Sequence, residues 1–193
     1  MILKKKRLVM VIIGPPGAGK DTQAGFISKK YKLKILYTGD MLRREVERKT
    51  KIGRKIQRDL EAGNLVDNSV VNQMLMKEVK KYNGNILIDG FPRNLEQARG
   101  FHLVNYVLYL SCTKKEIMKR LLKRAKIEGR KDDDGGIINH RWKVYGKKSK
   151  PVIGFYRRKG NLRQVDGNKS ITEVRERILD FLEQDELFKS LVR

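Results

Sequence analysis

The segment Gly14-Pro15-Pro16-Gly17-Ala18-Gly19-Lys20-Asp21-Thr22-Gln23 follows directly on the apolar run Leu8-Val9-Met10-Val11-Ile12-Ile13. A buried strand, a glycine-rich loop and a helix start, in that order, can cradle the phosphates of a nucleotide. Glycines let the backbone curl until several N–H groups face one anion. A helix opening near Lys20 adds its positive dipole end, and the Lys20 ammonium can reach the terminal phosphates. Gly14, Gly19 and Lys20 satisfy G-x-x-x-x-G-K, while Asp21 stands where most such loops carry Ser or Thr. The bland reading, a flexible turn, does not explain the strand and helix on either side.

Three further groups carry charge suited to phosphates. Asn85-Ile86-Leu87-Ile88-Asp89 is an apolar strand ending in a carboxylate. Beside a phosphate loop, Asp89 can hold Mg²⁺ through its water shell; the alternative is a turn aspartate capping the next segment. Arg93, just beyond in Gly90-Phe91-Pro92-Arg93, can grip a phosphate bidentately. Tyr37-Thr38-Gly39-Asp40-Met41-Leu42-Arg43 follows another strand, with Thr38 or Asp40 as a helix cap and Arg43 one turn along. The third group is Arg120, Arg124, Arg130, Asp132-Asp133 and Arg141. Arg120 and Arg124 share a helix face at i,i+4 and repel unless an anion lies near; a surface charge ladder is the competing reading. Phosphoryl transfer asks for positioning, Mg²⁺ and fixed positive charge more than covalent chemistry. A phosphate loop plus several arginines favours a kinase with a phosphorylated acceptor over a simple ATPase.

The elements that must position these groups alternate along the chain. Strand-like runs fall at Leu8–Ile13, Ile35–Tyr37, Ile86–Ile88, Tyr106–Leu110 and Leu162–Val165. Helical patterns fall near Lys20–Tyr31, Asp40–Lys49, Ile52–Ala62, Asn68–Lys81, Lys114–Lys126, Ile137–Lys147 and Thr172–Leu187. Continuous Val/Ile/Leu strands between helices predict an α/β fold, a five-stranded parallel sheet covered on both faces. Its right-handed crossovers place ligands along one edge. Successive helices between Asp40 and Lys81, with no strand among them, predict a small helical subdomain. Lys126–Gly136 reads as a mobile loop.

At 193 residues the chain makes one domain with a sizeable core. Its 45 Lys and Arg against 22 Asp and Glu leave +23. That surplus favours acidic ligands, nucleotides first and RNA non-specifically. Cys112 alone allows no intrachain disulfide, and with two histidines no zinc site is expected. The basic, then apolar, N-terminus is too short for a signal peptide and leads straight into the loop. No run is long enough to span a membrane, so a cytoplasmic protein is expected.

GPPGAGKDTQ, YTGDMLRR, EAGNLVD, DGFPRNLEQAR and GRKDD, then Arg141, Tyr145 and Pro151-Val152-Ile153, closely resemble the adenylate kinase family in order and over nearly the whole chain. The resemblance implies a P-loop NTPase-type three-layer fold, a helical subdomain for the monophosphate at about 38–67 and a short lid at about 125–135. It implies reversible, Mg²⁺-dependent transfer between ATP and AMP, giving two ADP, by a monomer or small homo-oligomer. By motif, Gly17, Ala18, Gly19, Lys20, Asp21 and Thr22 hold the ATP phosphates. Arg124 contacts ATP, and Gly167-Asn168-Lys169 meets its adenine mainly through backbone. Thr38, Arg43, Asn64-Leu65-Val66, Gly90, Phe91, Pro92, Arg93 and Gln97 form the AMP site. Arg120, Arg130 and Arg141 close onto the phosphates, with Asp132 and Asp133 as lid support.

In the similar UMP/CMP kinases the positions matching Thr38 and Gln97 typically carry Ala and Asn. A mismatched buried hydrogen-bonding group costs roughly 1–3 kcal/mol, so Thr38 and Gln97 favour AMP. A backbone-held ATP base leaves donor choice looser. Three features depart from the family pattern: Asp21 where Gly is usual, Asp67 where many have Pro, and a lid with only Ala125–Gly129 between Arg124 and Arg130. The longer β-lid, sometimes zinc-bearing, is absent, and Gly135 and Gly136 weaken the start of the next helix. A UMP/CMP or broad-specificity nucleoside monophosphate kinase is the nearest alternative. An RNA-associated P-loop protein is the alternative from another class, though the chain lacks interleaved aromatic and basic residues for stacking.

Overall fold

The computed structural model describes residues 7–128 and 135–192. Five strands, Val9–Ile13 (β1), Lys34–Tyr37 (β2), Ile86–Asp89 (β3), Tyr106–Ser111 (β4) and Leu162–Asp166 (β5), form one sheet in the order β2-β3-β1-β4-β5. Every neighbouring pair is parallel. All five residues of β1 are buried, as a central strand covered on both faces requires. Strand alternation then sorts the core into two layers. Val9, Val11, Ile13, Ile86, Ile88 and Val107 point to one face; Leu8, Met10, Ile12, Leu87, Leu108 and Leu110 point to the other.

Helix Lys20–Tyr31 (α1) covers the second face with α9 (Ile171–Gln184) and α10 (Glu186–Val192). The first face is covered from α2 (Thr38–Glu47), α3 (Lys51–Glu61), α4 (Asn68–Lys80), α5 (Leu95–Gly100) and α8 (Lys150–Arg158). A separate small cluster, Ile117, Leu121 and Ile138, packs α6 (Lys114–Glu128) against α7 (Gly135–Val144). The expected α/β parallel sheet of five strands is present, and each strand end lies within a residue of its expected position.

The helices depart from expectation in several places, and α5 (Leu95–Gly100) has no predicted counterpart. The predicted helix over Ile137–Lys147 starts earlier, at Gly135, and does not stop. It passes through one π-helical turn, Tyr145–Ser149, into α8. Pro151 lies in the first turn of α8, where a missing N–H and a fixed φ are tolerated. The predicted Thr172–Leu187 helix breaks at Asp185, whose backbone is extended and whose Oδ1 accepts from Phe188 N at 2.8 Å, opening α10. Both ends of the loop expected over Lys126–Gly136 are helical, since α6 runs to Glu128 and Gly135 and Gly136 head α7; residues 129–134 lie outside the described residues.

Between β2 and β3 the chain makes three helices, each started by a different device. Tyr37, not Thr38 or Asp40, is the N-cap of α2, and Thr38 is its first helical residue. Thr50 caps α3, its hydroxyl accepting from Gly53 N at 2.9 Å. Asp67 caps α4, accepting from Ser69 N at 2.9 Å and Val70 N at 3.2 Å. That gives the Asp67 departure a physical role: a carboxylate suits the positive end of a helix.

Gly53 lets α2 and α3 approach closely. A Cβ there would stand 1.9 Å from the Glu45 carbonyl oxygen. Gly25, inside α1, has nothing within 4 Å of the same added atom. Helix propensity alone favours Ala by about 1 kcal/mol at both sites, but a clash with backbone outweighs it. We expect Gly53→Ala to lower stability by roughly 1–3 kcal/mol and Gly25→Ala to raise it by about 0.5–1 kcal/mol. Urea denaturation of the two variants checks this; shifts in the same direction would contradict the packing.

Candidate active site

The loop leaves β1 at Gly14 and enters α1 at Lys20. Gly17 (φ 78°) and Gly19 (φ 84°) are left-handed, Gly19 serving as the N-cap of α1. The added atom test also explains two glycines by space. A Cβ on Gly14 would lie 2.5 Å from the Leu110 carbonyl oxygen, and one on Gly17 would lie 2.8 Å from Leu121 Cγ. The loop is therefore pressed between β4 and α6. Ala18 N donates to Pro15 O at 3.2 Å, closing its turn. Lys20 folds back over it, Nζ donating to Pro15 O at 2.8 Å.

Register brings the other charges to the same edge. Asp89, the last residue of β3, pairs with Ile12 on one side and Tyr37 on the other. Its Oδ1 is buried and has no hydrogen-bond partner among the described residues. Burial pushes the Asp89 carboxyl above the usual carboxylate range, and Lys20 opposes that shift. Burial lowers Lys20 to about 8; Asp89 and Asp21 pull it back up, while Arg93 and Arg141 push it further down. Two cations and two anions thus act on one ammonium. Asp21 is exposed in the first turn of α1.

Two clefts open here. The larger, about 1030 Å³, is bordered by Gly17 and Gly19 to Thr22 of the loop, by Asp89, Arg43, Arg120 and Arg124, and by Asn168 and Lys169. The smaller is bordered by Gly63, Leu65, Gly90 to Arg93, Tyr145, Ser149 and Ile153. Pro16, Lys20, Gly90, Arg93 and Arg141 belong to both.

Around the larger cleft, Arg120 acts as a strut. Its Nε donates to Glu116 Oε1 at 2.8 Å, Nη2 to Lys169 O at 2.9 Å and Nη1 to Ala18 O at 3.4 Å. The anion that relieves the Arg120–Arg124 repulsion is Glu116, one turn before Arg120. Sequence reasoning missed it, although Glu placed four residues ahead of Arg is a recognisable helix pair. Gly167 N donates to Ser111 O at 2.8 Å, Asn168 Oδ1 accepts from Thr113 N at 2.9 Å, and Ser170 caps α9 with a reciprocal Glu173 box. These bonds hold Gly167-Asn168-Lys169 at the cleft wall.

At the smaller cleft, Gly90 is left-handed (φ 79°) and Phe91–Pro92 is cis. Phe91 is buried edge-on against Phe101, at 5.1 Å between ring centres. Arg93 Nε donates to Gly90 O at 2.8 Å, and Arg93 N donates to Gln97 Oε1 at 2.8 Å. Asn94 caps α5 through Gln97 N, and Ser149 Oγ donates to Arg93 O at 2.7 Å. Neither Asn94 nor Ser149 stood out from the sequence; Asn94 has cap spacing, while Ser149 arrives only because the π-helical turn carries it there.

Not every candidate residue borders a cleft. Thr38 and Gln97 are each 2 % exposed and lie just behind the Gly90–Arg93 wall; Thr38 Oγ1 is buried without a partner among the described residues. Val66 is core, and Asn64 is exposed with Oδ1 2.8 Å from His140 Nε2. Arg43 is ion-paired with Asp40 and borders the larger cleft. Arg130, Asp132 and Asp133 lie outside the described residues.

A phosphate loop at the carboxyl edge of a parallel sheet, ringed by arginines, defines a phosphoryl-transferring P-loop protein. The chain belongs to the adenylate kinase family, whose family model matches residues 12–161, and it is a phosphotransferase acting on nucleoside monophosphates. It is 41 % identical over 186 residues to an adenylate kinase of Kocuria rhizophila, covering 91 % of this chain and 98 % of that protein. An adenylate kinase of Thermus thermophilus is 36 % identical over 178 residues, 88 % of this chain and 94 % of that one. A protein named UMP-CMP kinase 1 from rice is 35 % identical over 176 residues, 88 % of this chain and 72 % of its own. Among the described residues no helix is long and apolar enough to cross a membrane.

The depressed Lys20 has a measurable consequence. Below about pH 8 its ammonium is already charged; above it, bound phosphate must recharge it. ATP affinity should fall as pH rises through about 8, and calorimetry near pH 8.5 should show proton uptake that Lys20→Met abolishes. Stability moves the other way: with the folded pKa below the unfolded 10.5, this group's contribution improves between the two. PH-independent affinity without proton uptake would contradict a desolvated Lys20.

Proposed function

We propose that the chain transfers the terminal phosphoryl group of ATP to AMP, reversibly, giving two ADP. The carrying observation is the wall of Pro16, Lys20, Gly90, Arg93 and Arg141 shared by the two clefts. A donor phosphate chain in the larger cleft and a monophosphate in the smaller one would meet over Lys20. An AMP phosphate oxygen attacks the γ-phosphorus, the bond to the β–γ bridging oxygen breaks, and that oxygen leaves as part of ADP. No proton need move, because acceptor and leaving group are both phosphate oxygens. The chain's work is positioning and charge neutralisation.

Gly17, Ala18, Gly19, Lys20 and Thr22 offer N–H groups, the dipole end of α1 and one ammonium to the donor phosphates. Asp21, in the same turn, adds a carboxylate at the metal-facing rim. Arg124 and Arg120 flank the donor, and Lys169 borders its base. Arg93 and Arg141, which border both clefts, grip the acceptor phosphate; Arg43, on the larger cleft, reaches toward it from that side, with Arg130 expected to join from the lid. Asn64, Leu65 and Val66 set the acceptor-side turn, while Gly90, Phe91 and Pro92 shape the wall. Residues 38–67 act as the monophosphate subdomain and 125–135 as a short lid. Thr38 and Gln97 back the acceptor base; with Gln97 Oε1 engaged by Arg93 N, its amide NH₂ is the group left to read the base.

Adenylate kinases in general use Mg²⁺ with ATP. The residues here fit it: Asp89 borders the larger cleft with Lys20 and Thr22, and one of its carboxylate oxygens, buried, has no partner among the described residues, a hard ligand type suited to a water-coordinated Mg²⁺. When bound, the ion neutralises charge on the β- and γ-phosphates. Asp89 would orient its waters.

Turnover with AMP, CMP and UMP as acceptors tests this reading directly, AMP being the expected preference; CMP or UMP preference would favour the pyrimidine-kinase reading. Lys20→Ala should lower kcat by roughly 10²-fold or more with the fold intact by circular dichroism, and unchanged turnover would sink its role. Gln97→Ala should cut the AMP-to-CMP ratio of kcat/KM by about 10–100-fold, the worth of one unmatched buried hydrogen bond. An unmoved ratio would mean that the base is read elsewhere.

A further inference from the structure

The chain's surplus of positive charge is not evenly balanced along its surface. From Gly135 to Val165 there are nine Lys and Arg and no Asp or Glu. Shorter acid-free runs occur at 1–20 and 22–39, whereas in α9 cations and carboxylates are interspersed, with Glu173, Arg175, Glu176, Arg177, Asp180 and Glu183 in succession. Most of the acid-free stretch is one continuous helical rod, α7, the π-helical turn and α8, running about 36 Å at 1.5 Å per residue.

Five of the rod's cations face solvent. Lys143, Lys147, Lys148, Lys150 and Arg158 are exposed, and no carboxylate of the described residues pairs with them. Lys143, Lys147 and Lys150 follow at steps of four and three, the spacing that stacks side chains along one side of a helix. Like charges so placed repel one another, and the helix dipole does not repay them in mid-rod. A polyanion laid along the rod would. The catalytic face is not consumed by this: Arg141, Tyr145, Ser149 and Ile153 border the smaller cleft, a different set of positions from the exposed cations.

We propose that the solvent face of this rod is a docking surface for the phosphate backbone of nucleic acid, bound without sequence reading. The rod's cations are mostly lysines, compact point charges that suit phosphates rather than the bidentate fork that reads bases. Their linear array over several nucleotide lengths matches a linear polyanion. A membrane surface fits less well. An interfacial helix needs an outward apolar face, whereas Val152, Ile153 and Tyr156 are buried in the core and the exposed large apolar residues, Ile52, Leu122 and Ile171, lie elsewhere. Base stacking is not part of the proposal, because Trp142 and Phe155 are half-buried and Phe155 already carries Lys159 over its ring at 4.7 Å.

Fluorescence anisotropy with a single-stranded RNA of about twenty nucleotides, a matching RNA duplex and the DNA equivalents tests it. The whole chain should bind, with log affinity falling linearly in log salt. Lys143→Gln/Lys147→Gln/Lys148→Gln/Lys150→Gln should weaken binding roughly tenfold or more at low salt and lower the salt slope by about 3, leaving turnover on ATP and AMP unchanged. The four Lys→Arg changes at those positions should keep binding. Lys29→Gln/Lys55→Gln/Lys77→Gln/Lys80→Gln, which removes the same charge from α1, α3 and α4, should do little. Comparable losses from both sets would assign the binding to net charge and overturn the proposal, as would no binding by the unaltered chain. Preference for vesicles of anionic phospholipid over RNA would overturn it in favour of a membrane. Because turnover is read separately, failure here leaves the kinase reading standing, and failure of the kinase reading leaves this one testable.

Discussion

Setting a partly buried lysine ammonium beside a partly buried carboxylate is the constraint around which this molecule is organised. Either charge alone at the sheet edge would be costly to bury; together, Lys20 and Asp89 offset one another. That balance requires β1 and β3 to be neighbours, because Ile12 and Asp89 are register partners and Lys20 follows β1 by a short loop. It requires a loop backbone only glycine can follow at φ 78° and 84°. It also places Arg93 and Arg141 close enough to act on Lys20.

The arginines around that pair are not loose surface charges, which explains how long flexible side chains can define a site. Arg120 is tied to Glu116, the loop and the segment before α9, so one guanidinium joins three elements. Arg93 is fixed by its own Gly90 carbonyl and, through its backbone, by Gln97 and Ser149. The residue proposed to grip phosphate and the residue proposed to back the acceptor base therefore share one hydrogen-bonded turn. Catalysis by preorganisation asks for this kind of fixed geometry.

Much of this was legible in the sequence. Five apolar runs, a glycine loop with strand and helix on either side, and Asp89 ending a strand follow local rules of period and turn chemistry, and the structure has them. What stayed hidden depends on contacts distant in sequence. The continuous rod from α7 to α8 did not show in the sequence: the predicted helix ends at Lys147, whereas a π-helical turn and a first-turn proline carry it on into α8. The Glu116–Arg120 pair could be read from its spacing, but the reach of Arg120 to Ala18 O and Lys169 O joins parts of the chain distant in sequence. Asp67 looked like an oddity until its carboxylate was seen capping α4. Thr38 and Gln97 show the opposite: their types were readable, but their burial behind the cleft wall, with one Gln97 oxygen already used, appears only in three dimensions.

The account's central claim is that two phosphate subsites are contiguous across Lys20, Arg93 and Arg141. The direct measurement is calorimetric titration with two adenosines joined by a pentaphosphate chain, followed by competition with ATP and with AMP. Contiguous subsites predict one analogue per chain, with both ATP and AMP displaced by it. An analogue that displaces ATP while AMP still binds unimpaired would show that the two clefts do not meet, and would contradict the account.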